Sequence, residues 1–284
     1  MSIERVGVIG GGQMGAGIAE VCMKADVDVV VHEISDELAA ASRARIEKSL
    51  GRAVEKGKLD EDRRAAALEL LTTVNDLDAM HDRQLIVEAV VEDEALKKEL
   101  FGRLDEIVTD PEVILASNTS SIPITRIGQA TSRPGSVVGM HFFNPAPIMP
   151  LVEIVRSPVT NDDVVERVAA FASDRLGKTV VHAKDRAGFI VNMLLCPYII
   201  DAIRMFESGF ATKEDIDAGM VNGANYPMGP LALSDLIGND TMLAVAESLF
   251  EEFRESRYAP PPLLKRMVEA GMLGRKTGRG FYEY

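Results

Sequence analysis

One histidine and one glutamate in the middle of the chain have the residue types and spacing of an acid–base pair. His141 follows the apolar run 137–140, and Glu153 stands alone within the apolar stretch 151–155. Histidine exchanges a proton near neutral pH, and a carboxylate in an apolar strand is costly unless it is paired. Two adjacent strands would place Glu153 against His141 and fix the tautomer of its ring. The pair suits removal of a hydroxyl proton during hydride transfer, although a structural ion pair in the core is the alternative.

A glycine-rich turn near the N-terminus has the spacing of a dinucleotide-binding loop. Residues 10–15 read GGGQMG, match the pattern G-x-G-x-x-G, follow an apolar run and open a predicted helix. In this pattern the three glycines allow a tight turn, close approach of the backbone to a pyrophosphate, and close packing of helix on strand. A tight turn without a ligand is the alternative. We expect contacts to NAD from Gly10, Gly12, Gln13, Met14 and Gly15.

The acidic residue Glu33 indicates which dinucleotide binds. It follows the second predicted strand, about 20 residues after the turn, where the fingerprint places a carboxylate that accepts hydrogen bonds from ribose hydroxyls. Such a carboxylate repels a 2′-phosphate, and the next residues, Ile34 and Ser35, supply no compensating cation. The sequence therefore predicts NAD rather than NADP as the cofactor.

The elements that must position these residues alternate between strand and helix. Apolar runs predict strands at 5–9, 27–31, 85–91, 113–116, 137–140, 151–155 and 179–182. Helical spacing predicts helices at 18–25, within 36–64, at 93–108 and at 162–176. We therefore expect an α/β fold, with a Rossmann-type doubly wound sheet in an NAD-binding domain at 1–186.

The strand signals stop after this point, so we expect an all-helical second domain at 187–284. Residues 189–205 form a predicted helix that is apolar on nearly every side, and such a helix must be buried all round. Asn192 interrupts the run, and Asp201 ends it before the roughly 20 residues of a membrane span. It is predicted to be a domain core, extended by a subunit interface.

The composition excludes several classes of function. The chain has 284 residues, 46% of them hydrophobic, and a net charge of −13, which argues against binding to nucleic acid or to a membrane surface. Its two cysteines, Cys22 and Cys196, lie in apolar stretches and lack metal-ligand spacing. They predict buried free thiols and no metal site. An N-terminus without a signal-peptide pattern predicts a cytoplasmic protein.

Six ordered segments closely resemble the 3-hydroxyacyl-CoA dehydrogenase family, over the whole length of the chain. They are GVIGGGQMGAGIAEV, VEAVVEDEALKKELF, ASNTSSIPIT, GMHFFNPAPIMPLVEIV, KDRAGFIVNMLL and GRKTGRGFYEY. The resemblance implies NAD-dependent oxidation of an (S)-3-hydroxyacyl-CoA, with 3-hydroxybutyryl-CoA expected, and the reverse reduction of acetoacetyl-CoA. It also implies a homodimer, a second domain that carries the substrate site and the dimer contacts, and a place in fatty acid or butanoate metabolism.

The same resemblance implies catalytic roles for four residues, all of which are present. His141 would be the general base, and Glu153 would orient it. Ser120 and Asn192 would hydrogen-bond the reacting oxygen or the acyl carbonyl of the substrate.

Contacts to the cofactor and to coenzyme A are implied in the same way. Besides the turn and Glu33, the NAD contacts would fall on Glu92, Lys97, Ser120, Asn144 and Lys276. The coenzyme A contacts would fall on Ser49 and Lys56. From the residues alone, Lys97 and Lys276 are equally compatible with solvated surface cations, and Lys56 with an exposed lysine.

Two other functions compete with this one. A dehydrogenase of free 3-hydroxy acids shares the turn and a helical second domain, but such enzymes resemble one another through a catalytic lysine that segment 188–192 lacks. The HFFNP segment also favours an acyl-CoA substrate. The second is a non-catalytic, crystallin-like NAD-binding protein. Such a protein is expected to have lost the catalytic base, whereas His141 is present here.

Overall fold

The computed structural model describes residues 2–284 and divides the chain into two compact units, one ending at Asp185 and one spanning Arg186–Tyr284. The strands of the first unit are β1 Arg5–Ile9, β2 Asp28–His32, β3 Leu71–Val74, β4 Leu85–Glu88, β5 Ile114–Ser117, β6 Val137–Phe142, β7 Leu151–Arg156 and β8 Thr179–Lys184. Its helices are α1 Gln13–Lys24, α2 Asp36–Glu55, α3 Glu61–Glu69, α4 Glu94–Ile107, α5 Ile124–Gly128 and α6 Asp162–Ala170.

The eight strands form one sheet in the order β3-β2-β1-β4-β5-β6-β7-β8. All neighbouring strands are parallel except β6 and β7, which are antiparallel. Because the chain leaves β1 for β2 on one side and returns to β4 on the other, the loops after these three strands meet at one edge of the sheet. This is the topological switch point at which open α/β sheets bind ligands.

The local structure follows the predicted pattern with a few departures. The central strands are apolar and buried on both faces, as parallel strands covered by helices must be. The apolar run 85–91 forms a strand only as far as Glu88, and helix 162–176 ends at Ala170 and continues as a π-helical turn, Phe171–Arg175. Strand β3 was not predicted, because its edge sequence LTTV is half exposed and has no apolar run.

The second unit is built from helices, and it carries its own apolar core. The helices of the second unit are α7 Val191–Glu207, α8 Lys213–Ala224, α9 Pro230–Ile237, α10 Asn239–Phe253 and α11 Pro262–Glu269. The predicted fold class, a Rossmann-type sheet followed by a helical domain, is therefore confirmed.

The single chain covers α7 on one side only, and the predicted burial of its other side in a subunit interface stays a prediction. The helix is not buried all round in the single chain, because Leu194 is 68% exposed and Met205 is 41% exposed. These two residues are three turns apart and lie on the same side of the helix. The opposite side, with Cys196, Ile199 and Ile203, is buried in the core of the second unit. One side of α7 therefore remains uncovered.

Within residues 2–284, no helix is long and apolar enough to cross a membrane. Cys22 and Cys196 are buried free thiols, as predicted.

Candidate active site

The antiparallel step between β6 and β7 brings His141 and Glu153 together. The two residues are direct partners in the strand register, so their side chains leave the sheet on the same face. Nδ1 of His141 lies 2.7 Å from Oε2 of Glu153, and both residues are buried. A carboxylate only accepts hydrogen bonds, so Nδ1 carries the ring proton and donates it. The lone pair then resides on Nε2, the atom that a general base uses.

Neighbouring groups hold the end of β6 in place. The backbone N–H of Phe142, next to His141, donates to Oδ1 of Asn118 at 2.9 Å. The rings of His141 and Phe143 are 4.6 Å apart at a tilt of 57°. The imidazole is therefore positioned by its carboxylate partner, by the backbone of its own strand and by an aromatic contact.

The turn after β1 has the features that a pyrophosphate requires. Gly10 has φ of +88°, a backbone conformation that is strained for any residue with a side chain. A Cβ on Gly15 would overlap the carbonyl oxygen of Gly10. A Cβ on Gly12, in contrast, would have no heavy atom within 4 Å. Gly12 is the N-cap residue of α1 and supplies no side-chain cap, and the first turn of that helix has no acidic residue. Open space in front of an uncapped helix N-terminus fits a diphosphate.

Glu33 lies against this turn. Its Oε1 accepts a hydrogen bond of 2.7 Å from the backbone N–H of Gly11. The carboxylate is therefore fixed beside the turn, at the position where the fingerprint expects the adenosine ribose.

Lys97 is not a solvated surface cation, so that interpretation is wrong. It is 1% exposed, and its Nζ donates to Oε1 of Glu88 at 2.6 Å and lies 3.3 Å from Oε2 of Glu92. The second oxygen of Glu88 accepts from the hydroxyl of Ser117 at 2.6 Å. A buried ammonium group needs such partners, since its desolvation is otherwise uncompensated. Lys97 thus joins the ends of β4 and β5 to the loop that carries Glu92.

Glu92 shapes the loop that contains Ser120. Its Oε1 accepts hydrogen bonds from the backbone N–H groups of Ser120 and Ser121, at 3.0 and 3.1 Å, and from the hydroxyl of Thr119. Burial raises the pKa of Glu92, but Lys97 and these hydrogen bonds outweigh burial and hold the pKa below its ordinary value. Glu92 is therefore an anion at neutral pH that fixes the position of Ser120.

Two further predicted NAD contacts lie together. Nε2 of Gln13, in the first turn of α1, donates to Oδ1 of Asn144 at 3.0 Å. The glycine turn and the loop that follows His141 are thereby connected by one hydrogen bond. Met14 is half-buried and packs against the core of the first unit.

The predicted coenzyme A contacts lie on α2 and at its C-terminal end. Ser49 hydrogen-bonds Glu20, whose pKa is raised by its burial in α1. Lys56 is exposed at the C-terminal cap of α2.

Two predicted residues belong to the second unit. Asn192 is the second residue of α7 and is half-buried. Nζ of Lys276 donates to Oδ2 of Asp240 at 2.6 Å. The substrate role of Asn192 and the NAD role of Lys276 stay predictions.

Sequence reasoning missed two residues at this edge of the sheet. Glu88 is a lone carboxylate in the buried strand LIVE, the same signal that singled out Glu153, and it was overlooked. Arg45 lies on α2, and its Nη1 donates to the carbonyl oxygen of Gly11 at 2.6 Å. No spacing rule points to Arg45, because its position depends on how α2 packs. In residues 2–284, no cluster of histidine, cysteine or acidic side chains could hold a metal ion.

Comparison with known proteins identifies relatives for both units. Residues 5–186 match the family described as "3-hydroxyacyl-CoA dehydrogenase, NAD binding domain", and residues 188–284 match "3-hydroxyacyl-CoA dehydrogenase, C-terminal domain". A "3-hydroxybutyryl-CoA dehydrogenase" of Mycobacterium tuberculosis is 58% identical over 283 residues, which cover 100% of this chain and 99% of that protein.

Solved structures agree with these matches. The crystal structure of M. tuberculosis FadB2 is similar with a TM-score of 0.99 at 58% identity, over 100% of both chains. That of "(S)-3-hydroxybutyryl-CoA dehydrogenase PaaH1" from Ralstonia eutropha has a TM-score of 0.94 at 44% identity, over 100% of this chain and 99% of the other.

Alanine at two glycines of the turn should separate folding from cofactor binding. Gly12→Ala fills open space, so we expect the free energy of unfolding to change by less than about 0.5 kcal/mol, while NADH affinity falls at least about tenfold. Gly15→Ala forces a clash and should cost about 1–3 kcal/mol. Denaturant unfolding and NADH fluorescence titration measure both. A Gly12→Ala protein that binds NADH normally would contradict the placement of the pyrophosphate.

Proposed function

The chain belongs to the 3-hydroxyacyl-CoA dehydrogenase family, and we propose that it oxidises (S)-3-hydroxybutyryl-CoA to acetoacetyl-CoA with NAD and catalyses the reverse reduction. The observation that carries this proposal is the buried pair of His141 and Glu153 at the carboxyl edge of a sheet that also carries an NAD-binding turn. The 58% identity to a 3-hydroxybutyryl-CoA dehydrogenase supports the choice of substrate.

All the residues proposed to hold NAD lie in the first unit except Lys276, which lies in the second. The turn and the N-terminus of α1 supply backbone N–H groups for the pyrophosphate, and Glu33 supplies an acceptor for the ribose hydroxyls. Glu92, Lys97 and Asn144 are proposed to complete the contacts near the nicotinamide. When bound, NAD⁺ accepts the hydride that leaves C3 of the hydroxyacyl group.

His141 is proposed to handle the proton of this reaction. Its Nε2 accepts the proton of the 3-hydroxyl group, so the C3–O bond becomes a carbonyl as the hydride departs. The resulting imidazolium is stabilised by the Glu153 carboxylate 2.7 Å from Nδ1. In the reverse direction the imidazolium returns the proton to the carbonyl oxygen. Ser120, held by Glu92, is proposed to hydrogen-bond the same oxygen.

Coenzyme A is proposed to lie along α2, with Lys56 near a phosphate and Ser49 beside it. In residues 2–284, no carboxylate lies within 4.0 Å of Lys56, whereas six other lysines of this acidic chain pair with one. An unpaired, exposed ammonium group is suited to an anionic ligand.

We also propose that the enzyme is a cytoplasmic homodimer that associates through the second unit. Leu194 is 68% exposed, Met205 41% and Phe210 78%, and a second copy of the chain would cover these apolar side chains. Two buried free cysteines are compatible with a reducing compartment.

Substitution of the pair should stop chemistry but not cofactor binding. His141→Ala is expected to lower kcat for acetoacetyl-CoA reduction by about 10²–10⁴-fold, and Glu153→Gln by a comparable factor because the imidazolium loses its counter-charge. The NADH Kd should stay within about twofold of the wild-type value. The matched control is His182→Ala, an exposed histidine on β8, which should leave turnover unchanged. Normal turnover in the His141→Ala enzyme would refute the assignment.

The substrate class is tested by comparing acyl-CoA esters with the free acid. We expect NADH formation from (S)-3-hydroxybutyryl-CoA with NAD⁺, and kcat/KM at least about 10³-fold lower for free 3-hydroxybutyrate, which lacks the coenzyme A binding energy. Measuring kcat/KM for a series of longer 3-hydroxyacyl-CoA esters shows how the enzyme ranks the four-carbon substrate among acyl chain lengths. Equal efficiency with the free acid would favour a hydroxy-acid dehydrogenase, and no turnover of either would favour a non-catalytic NAD-binding protein.

The assembly is tested by light scattering coupled to size-exclusion chromatography. The wild-type protein should elute with twice the chain mass, and Leu194→Glu should shift the population to monomer, because a charge cannot be buried unpaired in an interface. A wild-type monomer at micromolar concentration would contradict the proposal.

A further inference from the structure

Two side chains of opposite charge meet on one residue of the glycine turn. Oε1 of Glu33 accepts from the N–H of Gly11 at 2.7 Å, and Nη1 of Arg45 donates to the carbonyl oxygen of the same glycine at 2.6 Å. Glu33 comes from the end of β2, whereas Arg45 comes from the third turn of α2. The turn is therefore flanked by an anion and a cation at the place where the adenosine ribose is expected.

Packing fixes the position of Arg45. Ser42 precedes it on the same face of α2 and is fully buried. A Cβ on Gly11 would overlap the hydroxyl group of Ser42, so α2 lies directly against the turn. Arg45 therefore projects from a helix that is held against Gly11, and its side chain is exposed.

The charge of Arg45 is not neutralised. Throughout residues 2–284, no carboxylate lies within 4.0 Å of its guanidinium group, whereas its neighbour Arg43 pairs with Glu47 at 3.0 Å. Glu33, although bonded to the same glycine, forms no ion pair with Arg45. In a chain with a net charge of −13, an unpaired arginine beside a nucleotide-binding turn is available to an anion.

We propose that Arg45 is a specificity-determining residue for the cofactor, a cation already in place for a ribose 2′-phosphate whose effect is masked by Glu33. The carboxylate of Glu33 repels the roughly two negative charges of that phosphate. An arginine near the ribose is the group that accommodates it in NADP-binding relatives of this fold. Discrimination against NADP then depends on the charge of Glu33 alone, and removing that charge exposes a phosphate site. This inference rests on the proposed dinucleotide function.

The test measures NADH and NADPH binding to the full-length protein by nicotinamide fluorescence, without acyl substrate. Four proteins are compared: wild type, Glu33→Gln, Arg45→Gln and the double variant. Glutamine at position 45 removes the charge but keeps a donor for Gly11. We expect Glu33→Gln to raise the ratio of NADPH to NADH affinity at least about tenfold, and the double variant to lose most of that gain.

Arg52→Gln is the matched control in the Glu33→Gln background. It removes the same charge from the same face of α2, two turns or about 10 Å from Arg45, and should retain the gain. Because the readout is a ratio, a general loosening of the turn lowers both affinities and cancels.

Two results would overturn the inference: no gain in Glu33→Gln, or a gain that persists in the double variant. A protein that fails to bind NADH at all would instead contradict the proposed function, so the two failures are distinguishable.

Discussion

The hydrogen bond from His141 to Glu153 depends on a single reversal of strand direction. In a fully parallel sheet, the carboxyl edge receives only residues from strand ends. Since β7 runs antiparallel to β6, its early residue Glu153 lies directly opposite His141, near the end of β6. The contact with His141 helps to offset the cost of burying a carboxylate in an apolar strand. The same contact sets the tautomer of the ring, so stability and proposed chemistry depend on the same 2.7 Å interaction.

A second constraint is that a chain with a net charge of −13 must hold a polyanionic cofactor and a polyanionic substrate. The first unit meets it locally. Backbone N–H groups at the uncapped start of α1 provide positive potential without a basic side chain. The one buried ammonium group, among the residues described, is that of Lys97, and it is balanced by Glu88 and Glu92. Arg45 adds a positive side chain beside the turn.

Much of this arrangement could be predicted from the sequence, because its signals are local. The glycine spacing, the alternation of apolar runs with amphipathic helices, and a lone glutamate in an apolar strand each depend on a few consecutive residues. Tertiary packing decided the rest. The edge strand β3 has no apolar pattern, the burial of Lys97 depends on Glu88 in another element, and Arg45 reaches Gly11 only because α2 packs on the turn.

For helix α7, the sequence does not reveal which side chains are buried within the single chain. Its apolar composition correctly indicated a core helix, but composition alone does not distinguish a side chain buried within the chain from one covered by a second copy. Leu194 and Met205 are exposed in the single chain, and this exposure is what the proposed dimer explains.

Glu153 holds His141 with the proton on Nδ1 and the lone pair on Nε2. ¹⁵N NMR of histidine-labelled protein, with the His141 signals assigned by their loss in a His141 variant, measures this tautomer directly. We expect that in the neutral ring Nδ1 is protonated and Nε2 is not, and that Glu153→Gln disturbs this preference. A neutral ring protonated on Nε2 would contradict it, because such a ring could not take the substrate proton at that atom.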